Sequence, residues 1–162
     1  MAQVVLITGA ARRIGAACAR VLHARGLNVI VHYHHSESEA LALVDELNDL
    51  RAESVFAIKA DLLVASEVEQ LAMEASRCFG GIDALINNAS SFYPTPLGLV
   101  QEQDWDILLS SNLKAPFFLS QALAPMLRDR GGCIVNLVDI HAERGLPGHV
   151  VYSIAKAGLV AM

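Results

Sequence analysis

Short apolar runs rich in Val and Ile alternate with longer stretches patterned for helix, from residue 3 to the end of the chain. Strands are expected at 3–8 (QVVLIT), 28–34, 54–59, 84–87 and 133–138 (CIVNLV). Helices are expected at about 14–25, 38–50, 65–79, 101–106 and 110–130, with another beginning near Val151. Strand, helix and strand in succession close into right-handed crossovers, so the pattern predicts an α/β fold: a doubly wound parallel sheet with helices on both faces. Domains run to about 100 to 200 residues, which makes 162 a single domain. The last helix is apolar and carries no stop signal. Residues 1–162 are therefore expected to be one domain incomplete at its C-terminus, a fragment of a longer single-domain chain.

A hydrophobic fraction of 54% against 18% charged residues suits a sheet buried on both faces. The net charge of −5 argues against a surface that tracks nucleic-acid phosphates. The start, MAQVVLITGAARR, has no basic region ahead of its apolar run, and that run is too short to span a bilayer. The expectation is a cytoplasmic protein with neither nucleic acid nor membrane as partner. Cys18, Cys78 and Cys133 lie far apart with no C-x-x-C spacing, which reads as three buried small hydrophobes rather than disulfides or a zinc site.

Chemistry gathers where the expected strands end. TGAARRIG, at 8–15, follows the first strand and opens a helix, the context in which a glycine loop cradles a pyrophosphate. Gly9 allows the tight turn, and Gly15 lets the helix approach the strand. Arg13 stands where a third glycine is expected.

In NAD-binding folds a carboxylate about 20 residues on binds the ribose 2′-hydroxyl. Here the second strand ends HYHHS, with no carboxylate before Glu37. Arg12, His34, His35 and Ser36 would accept a 2′-phosphate, which favours NADPH. A metal cluster at His32, His34 and His35 is disfavoured by the lack of nearby carboxylate or thiolate companions. Asp61, after the third strand, reads equally as an acceptor for an adenine amino group or as a helix N-cap.

Tyr152 and Lys156 share one helix face, one turn apart. A phenol is a weak acid, and the adjacent ammonium is expected to lower its pKa toward use as a proton donor.

TGAARRIG, Asp61, NNAS (87–90), Asn112 and YSIAK (152–156), in this order and spacing, resemble the short-chain dehydrogenase/reductases, and the resemblance covers the whole chain. It implies a Rossmann-type sheet, with Gly9, Arg12, Arg13, Ile14, His34, His35, Ser36, Asp61, Leu62, Asn88, Ala89 and Ser90 around the cofactor. Tyr152 would be the acid, Lys156 would also hold the nicotinamide ribose, and Asn112 would link to Lys156 through a water or backbone group. The family's usual serine stands thirteen residues before the tyrosine, and that position here is Asp139.

Together with Arg13, HYHHS and NNASSFYPTPL (87–97), Asp139 makes the chain similar to the pteridine reductase branch. That likeness implies a pterin stacked on Phe92, with Arg13, Ser90, Asp139 and Tyr152 as further substrate contacts, and a homotetramer. Reducing a pterin C=N bond takes a hydride at carbon and a proton at nitrogen, and the ring's guanidine-like edge offers N–H donors to a carboxylate. Phe92 as a core aromatic is the plainer alternative, though SSFYPTP is patterned as a loop. The rival functions are a carbonyl reductase acting on a 3-oxoacyl thioester or other keto substrate, and a non-catalytic dinucleotide-binding module.

Overall fold

The computed structural model describes residues 2–162. Five strands form one wholly parallel sheet: β1 (Val4–Ile7), β2 (Asn28–Tyr33), β3 (Val55–Lys59), β4 (Ala84–Asn87) and β5 (Cys133–Asn136). Their order is β3-β2-β1-β4-β5. The chain runs outward from β1 to β3, then returns to add β4 on the other side of β1. That reversal opens a crevice beyond the carboxyl ends of β1 and β4, where ligands bind in sheets of this kind.

The helices are α1 (Arg13–Ala24), α2 (Glu37–Leu50), α3 (Ala65–Arg77), α4 (Glu102–Leu109), α5 (Ala115–Asp129) and α6 (Val150–Ala161). Strand alternation divides the core in two. Leu6, Ile30 and Leu85 pack with Leu71 of α3 and Leu119 of α5. Val5, Ile7, Val29 and Val31 pack with Ala16 of α1 and Leu43 of α2 on the opposite face. Every residue of β1 is buried, as a central parallel strand requires.

The two separate helical segments expected at 101–106 and 110–130 are one continuous run. A π-helical stretch, Ser110–Lys114, joins α4 to α5, and the Ala115 N–H bonds to the Ser110 carbonyl. The cause is Pro116, which has no N–H to donate to the carbonyl four residues back, that of Asn112. The slip buries the Asn112 side chain completely.

Other expected boundaries also shift. β5 ends at Asn136, although the Leu137 N–H still bonds to the Asn87 carbonyl at 2.9 Å. α3 stops at Arg77, and a 3₁₀ turn with Phe79 at φ +55° follows. The cysteines are free but not buried: Cys133 is exposed on β5, the edge strand among the described residues, and Cys18 and Cys78 are half-buried. Among the described residues, no helix is long and apolar enough to cross a membrane.

Candidate active site

The crevice between β1 and β4 is a cleft of about 610 Å³. Every candidate cofactor residue lines it except Tyr152 and Lys156, which lie beyond its far end, marked by Ser90, Ser91 and Ser111.

The floor of the cleft is the β1–α1 loop, and it is clamped from two sides. Thr8 Oγ1 accepts the N–H groups of Asn88 and Ala89, each at 3.0 Å. Asn88 Nδ2 donates back to the carbonyls of Thr8 and Gly9, at 2.8 and 3.1 Å. Gly9 sits at φ +62°, and a Cβ there would meet Ala89 Cα at 3.0 Å. On Gly15 a Cβ would lie 2.6 Å from the Gly9 carbonyl oxygen and 2.7 Å from Asn88 Nδ2. Both glycines are thus needed for close approach.

Helix α1 opens onto the cleft with no side-chain cap and no acidic residue in its first turn. Its first N–H groups lack intrahelical partners and carry the positive end of the helix dipole. Arg13, at φ +52°, occupies a backbone conformation that favours glycine. A turn that leaves no room for a Cβ at Gly9 or Gly15, next to an uncapped helix start, fits the pyrophosphate of a dinucleotide.

At the end of β2 the charges are more balanced than the sequence suggests. Arg12 pairs with Glu39 of α2 at 3.4 Å, and His34 Nε2 lies 3.7 Å from Asp61 Oδ2. The His34 and His35 rings are 3.6 Å apart. A 2′-phosphate here would compete with the exposed Glu39 for Arg12, a competition that solvent keeps small. Asp61 is not the N-cap of α3, whose cap position is Val64. Its Oδ1 instead accepts the Leu63 N–H at 2.9 Å in a local turn. His32 does not join its neighbours at the strand end: it is buried, its ring bonded to Gly9 N and the Ala60 carbonyl oxygen, each at 3.0 Å. Among the described residues, no cluster of three or more His, Cys, Asp or Glu is placed to hold a metal.

At the reacting end, the Tyr152 hydroxyl donates to Asp139 Oδ2 at 2.9 Å. Asp139 caps a 3₁₀ turn, and its Oδ1 accepts the His141 N–H at 3.0 Å. Lys156 Nζ is buried, donates to the Leu137 carbonyl at 2.9 Å and stands 5.7 Å from the centre of the Tyr152 ring. Asn112 accepts from the Ser90 hydroxyl at 2.6 Å and donates to the carbonyls of Ser91 and Leu108. These bonds tie Asn112 to the NNAS loop and its neighbour Ser91, and none of them is a direct bond to Lys156.

Phe92 is 56% exposed, which removes the core reading. Its ring meets the edge of Tyr152 at 4.8 Å and stacks on His149 at 4.6 Å, nearly parallel.

The electrostatics reverse one expectation. The Tyr152 pKa is pushed up to about 12, first by burial and then by the Asp139 hydrogen bond and charge, with a weaker opposing pull from the Ser90 hydroxyl. Lys156 does not lower it as the spacing suggests, because the ammonium faces the ring and the Leu137 carbonyl rather than the hydroxyl. Burial lowers the pKa of Lys156 itself, against the raising effect of Asp139. Asp139 is held below the usual carboxylate range by the His141 N–H, with the Tyr152 hydroxyl and the Lys156 charge adding to it. Near neutral pH the pair is a protonated phenol donating to a carboxylate anion.

Sequence reasoning missed Thr8, the inward role of His32, Glu39 and His149. Thr8 and His32 had a readable signal, since each is a polar residue in an otherwise apolar strand run. Glu39 and His149 had none.

This sheet order, glycine loop and strand-end cleft define a Rossmann-type dinucleotide fold. The chain belongs to the short-chain dehydrogenase family, whose pattern matches residues 3–162. It is 39% identical over 158 residues to the 3-oxoacyl-(acyl-carrier-protein) reductase FabG of Staphylococcus epidermidis, covering 97% of this chain and 64% of that protein. It is 38% identical over 160 residues to the 3-oxoacyl-(acyl-carrier-protein) reductase of Synechocystis, covering 98% and 64%. To the hydroxynaphthalene reductase-like protein Arp2 of Metarhizium brunneum it is 37% identical over 158 residues, covering 97% and 58%. The chain thus spans between 58% and 64% of the length of these relatives. The two 3-oxoacyl names match the carbonyl-reductase alternative rather than the pteridine branch.

Proposed function

We propose that the complete protein is an NADPH-dependent reductase that takes a dihydropteridine, a dihydropterin or dihydrofolate, to its tetrahydro form. The observation that carries this reading is the Tyr152 to Asp139 hydrogen bond, with Asp139 ionised. A carboxylate anion cannot donate to a substrate carbonyl, whereas it accepts the N–H groups on the guanidine-like edge of a pterin.

Bound in the cleft, NADPH supplies the hydride that adds to carbon of the C=N bond. Gly9, Asn88, Ala89 and the start of α1 would hold its pyrophosphate, with Arg12, Arg13, His34, His35 and Ser36 toward the 2′-phosphate. Substrate N–H groups would take Asp139 Oδ2 in place of the Tyr152 hydroxyl. That frees the phenol to give its proton to the substrate nitrogen. Lys156 would hold the nicotinamide ribose, and the phenolate would regain a proton from solvent. Phe92, beside Tyr152, offers its exposed ring as a stacking wall for a flat heterocycle.

The names of the relatives favour a second reading, reduction of a 3-oxoacyl thioester. Tyr152 would then polarise the keto oxygen without a neutral partner at position 139. The test follows NADPH oxidation by the complete-length protein with dihydrobiopterin, dihydrofolate and an acetoacetyl thioester in parallel. Pterin turnover supports the first reading, and turnover of the thioester alone supports the second.

We propose further that the complete protein is a homotetramer, assembled through α5 and α6. These helices expose Phe117, Phe118, Ile154 and Val160, and sedimentation of the complete-length protein tests it.

A further inference from the structure

We infer that His32 is the positioning residue of the phosphate loop: its ring fixes both the Gly9 turn and the distance between the two walls of the cleft. The inference rests on the proposal that the cleft binds NADPH.

The partners fix the ring's tautomer. Nδ1 faces the Gly9 N–H at 3.0 Å, a group that can only donate, so Nδ1 carries the lone pair. Nε2 faces the Ala60 carbonyl oxygen at 3.0 Å, which can only accept, so Nε2 carries the hydrogen. The ring is 2% exposed.

The backbone of the same residue continues the job, because the Ala10 N–H donates to the His32 carbonyl at 2.9 Å. Two consecutive loop N–H groups are therefore turned inward by one residue, while Asn88 holds the Thr8 and Gly9 carbonyls from the other side. A peptide plane bonded at both its ends cannot rotate, so the donors left to face the cleft are those at the start of α1. The bond to Ala60 reaches the opposite wall, one residue before Asp61, and both Gly9 and Asp61 line the cleft. An aliphatic side chain would fill this interior position without either of the two ring bonds.

Three variants of the complete-length chain separate the two bonds. In His32→Asn, Oδ1 can replace Nδ1 as acceptor for the Gly9 N–H. His32→Gln reaches toward Ala60 and leaves the Gly9 N–H without a partner, and His32→Leu removes both bonds. NADPH affinity is read by quenching of protein or cofactor fluorescence, with kcat at saturating NADPH and the urea midpoint measured beside it.

The inference predicts that His32→Leu and His32→Gln weaken NADPH binding by about tenfold or more, the scale of one lost buried hydrogen bond, with kcat little changed. It predicts that His32→Asn stays within about threefold of the parent, since its acceptor is restored. Wild-type affinity in His32→Leu, or equal losses in His32→Asn and His32→Gln, would overturn it. If His32→Leu does not fold, the Asn and Gln pair still decides. Nitrogen NMR of the ring in the unsubstituted protein decides independently, because a hydrogen on Nδ1 contradicts the arrangement. An unsubstituted protein that does not bind NADPH would instead overturn the cofactor reading on which the inference rests.

Discussion

Tyr152 donates its hydroxyl hydrogen to Asp139 across thirteen residues of sequence, at 2.9 Å, and this bond adds to burial in raising the phenol pKa and to the His141 N–H in lowering that of the carboxyl. The carboxylate keeps the proton on the phenol, and the phenol helps keep the carboxylate ionised. Replacing Asp139 by Asn removes the charge while leaving an oxygen for the His141 N–H. The Tyr152 pKa then falls below about 12 but stays above the ordinary phenol value near 10, because burial, the largest cause of the shift, remains. Ultraviolet titration of the variant, with Tyr152→Phe to assign the tyrosine, checks this. An unchanged Tyr152 transition would show that Asp139 does not control it.

Arg13 trades stability for binding. Its φ of +52° costs a non-glycine residue roughly 1 kcal/mol, so Arg13→Gly is expected to raise the unfolding free energy by up to about that much, read as a higher urea midpoint. The same substitution removes a guanidinium from the cleft and is expected to weaken NADPH affinity by about tenfold, the scale of a hydrogen bond to a charged group. Unfolding and binding titrations on one preparation should move in opposite directions. A variant that is both less stable and fully able to bind would contradict the assignment.

Gly15→Ala places a methyl 2.6 Å from the Gly9 carbonyl oxygen, closer than atoms pack. Helix α1 must move away from the loop, at a cost of about 1 to 3 kcal/mol for overpacking. Lower stability and weaker NADPH binding are expected together, read by denaturant unfolding and fluorescence. Gly98→Ala is the control for a general glycine effect, since a Cβ there meets nothing within 4 Å, though its φ of +92° adds backbone strain.

Burial lowers the His32 pKa from 6.5 to about 4, with the charge of His34 pushing the same way and Asp61 and the Ala60 carbonyl opposing. Between those values the unfolded chain binds the proton and the folded one does not, so stability increases with pH. The contribution is fully present above about pH 6.5 and is lost as pH falls toward 4. The total is roughly 3 kcal/mol, at about 1.36 kcal/mol for each pH unit between the two values. His32→Asn should flatten this limb of the stability profile, measured by urea unfolding from pH 4 to pH 7. An equally steep profile in the variant would assign the acid sensitivity to other groups.

The beat of strands and helices was legible because parallel strands buried on both faces must be apolar along their whole length, as all of β1 is. Cleft residues were legible because Gly9, Asp61 and Asn88 all follow expected strands, and strand ends in a parallel sheet converge on one edge. What the sequence hid is set by contacts between distant segments. Arg12 meets Glu39 through the packing of α1 beside α2, and His149 meets Phe92 because the Thr95 segment lies against the entry to α6. The direction in which the Tyr152 pKa moves is hidden for the same reason. A spacing of four places Lys156 near the ring, but only the fold shows that Asp139 and not Lys156 faces the hydroxyl. Pro116 is visible in the sequence, yet its effect is to slip the helix ladder into a π turn rather than to end the helix.

The substrate class turns on Asp139, and an exchange at that position tests it most directly. The measurement is kcat/KM of the complete-length protein and of its Asp139→Ser variant, each with dihydrobiopterin and with an acetoacetyl thioester, at saturating NADPH. The account predicts that the substitution lowers the pterin value by about tenfold or more, through loss of a charged hydrogen-bond acceptor, and raises the thioester value through gain of a neutral donor. Pterin turnover unchanged by Asp139→Ser, or no pterin turnover in the unsubstituted protein, would contradict it.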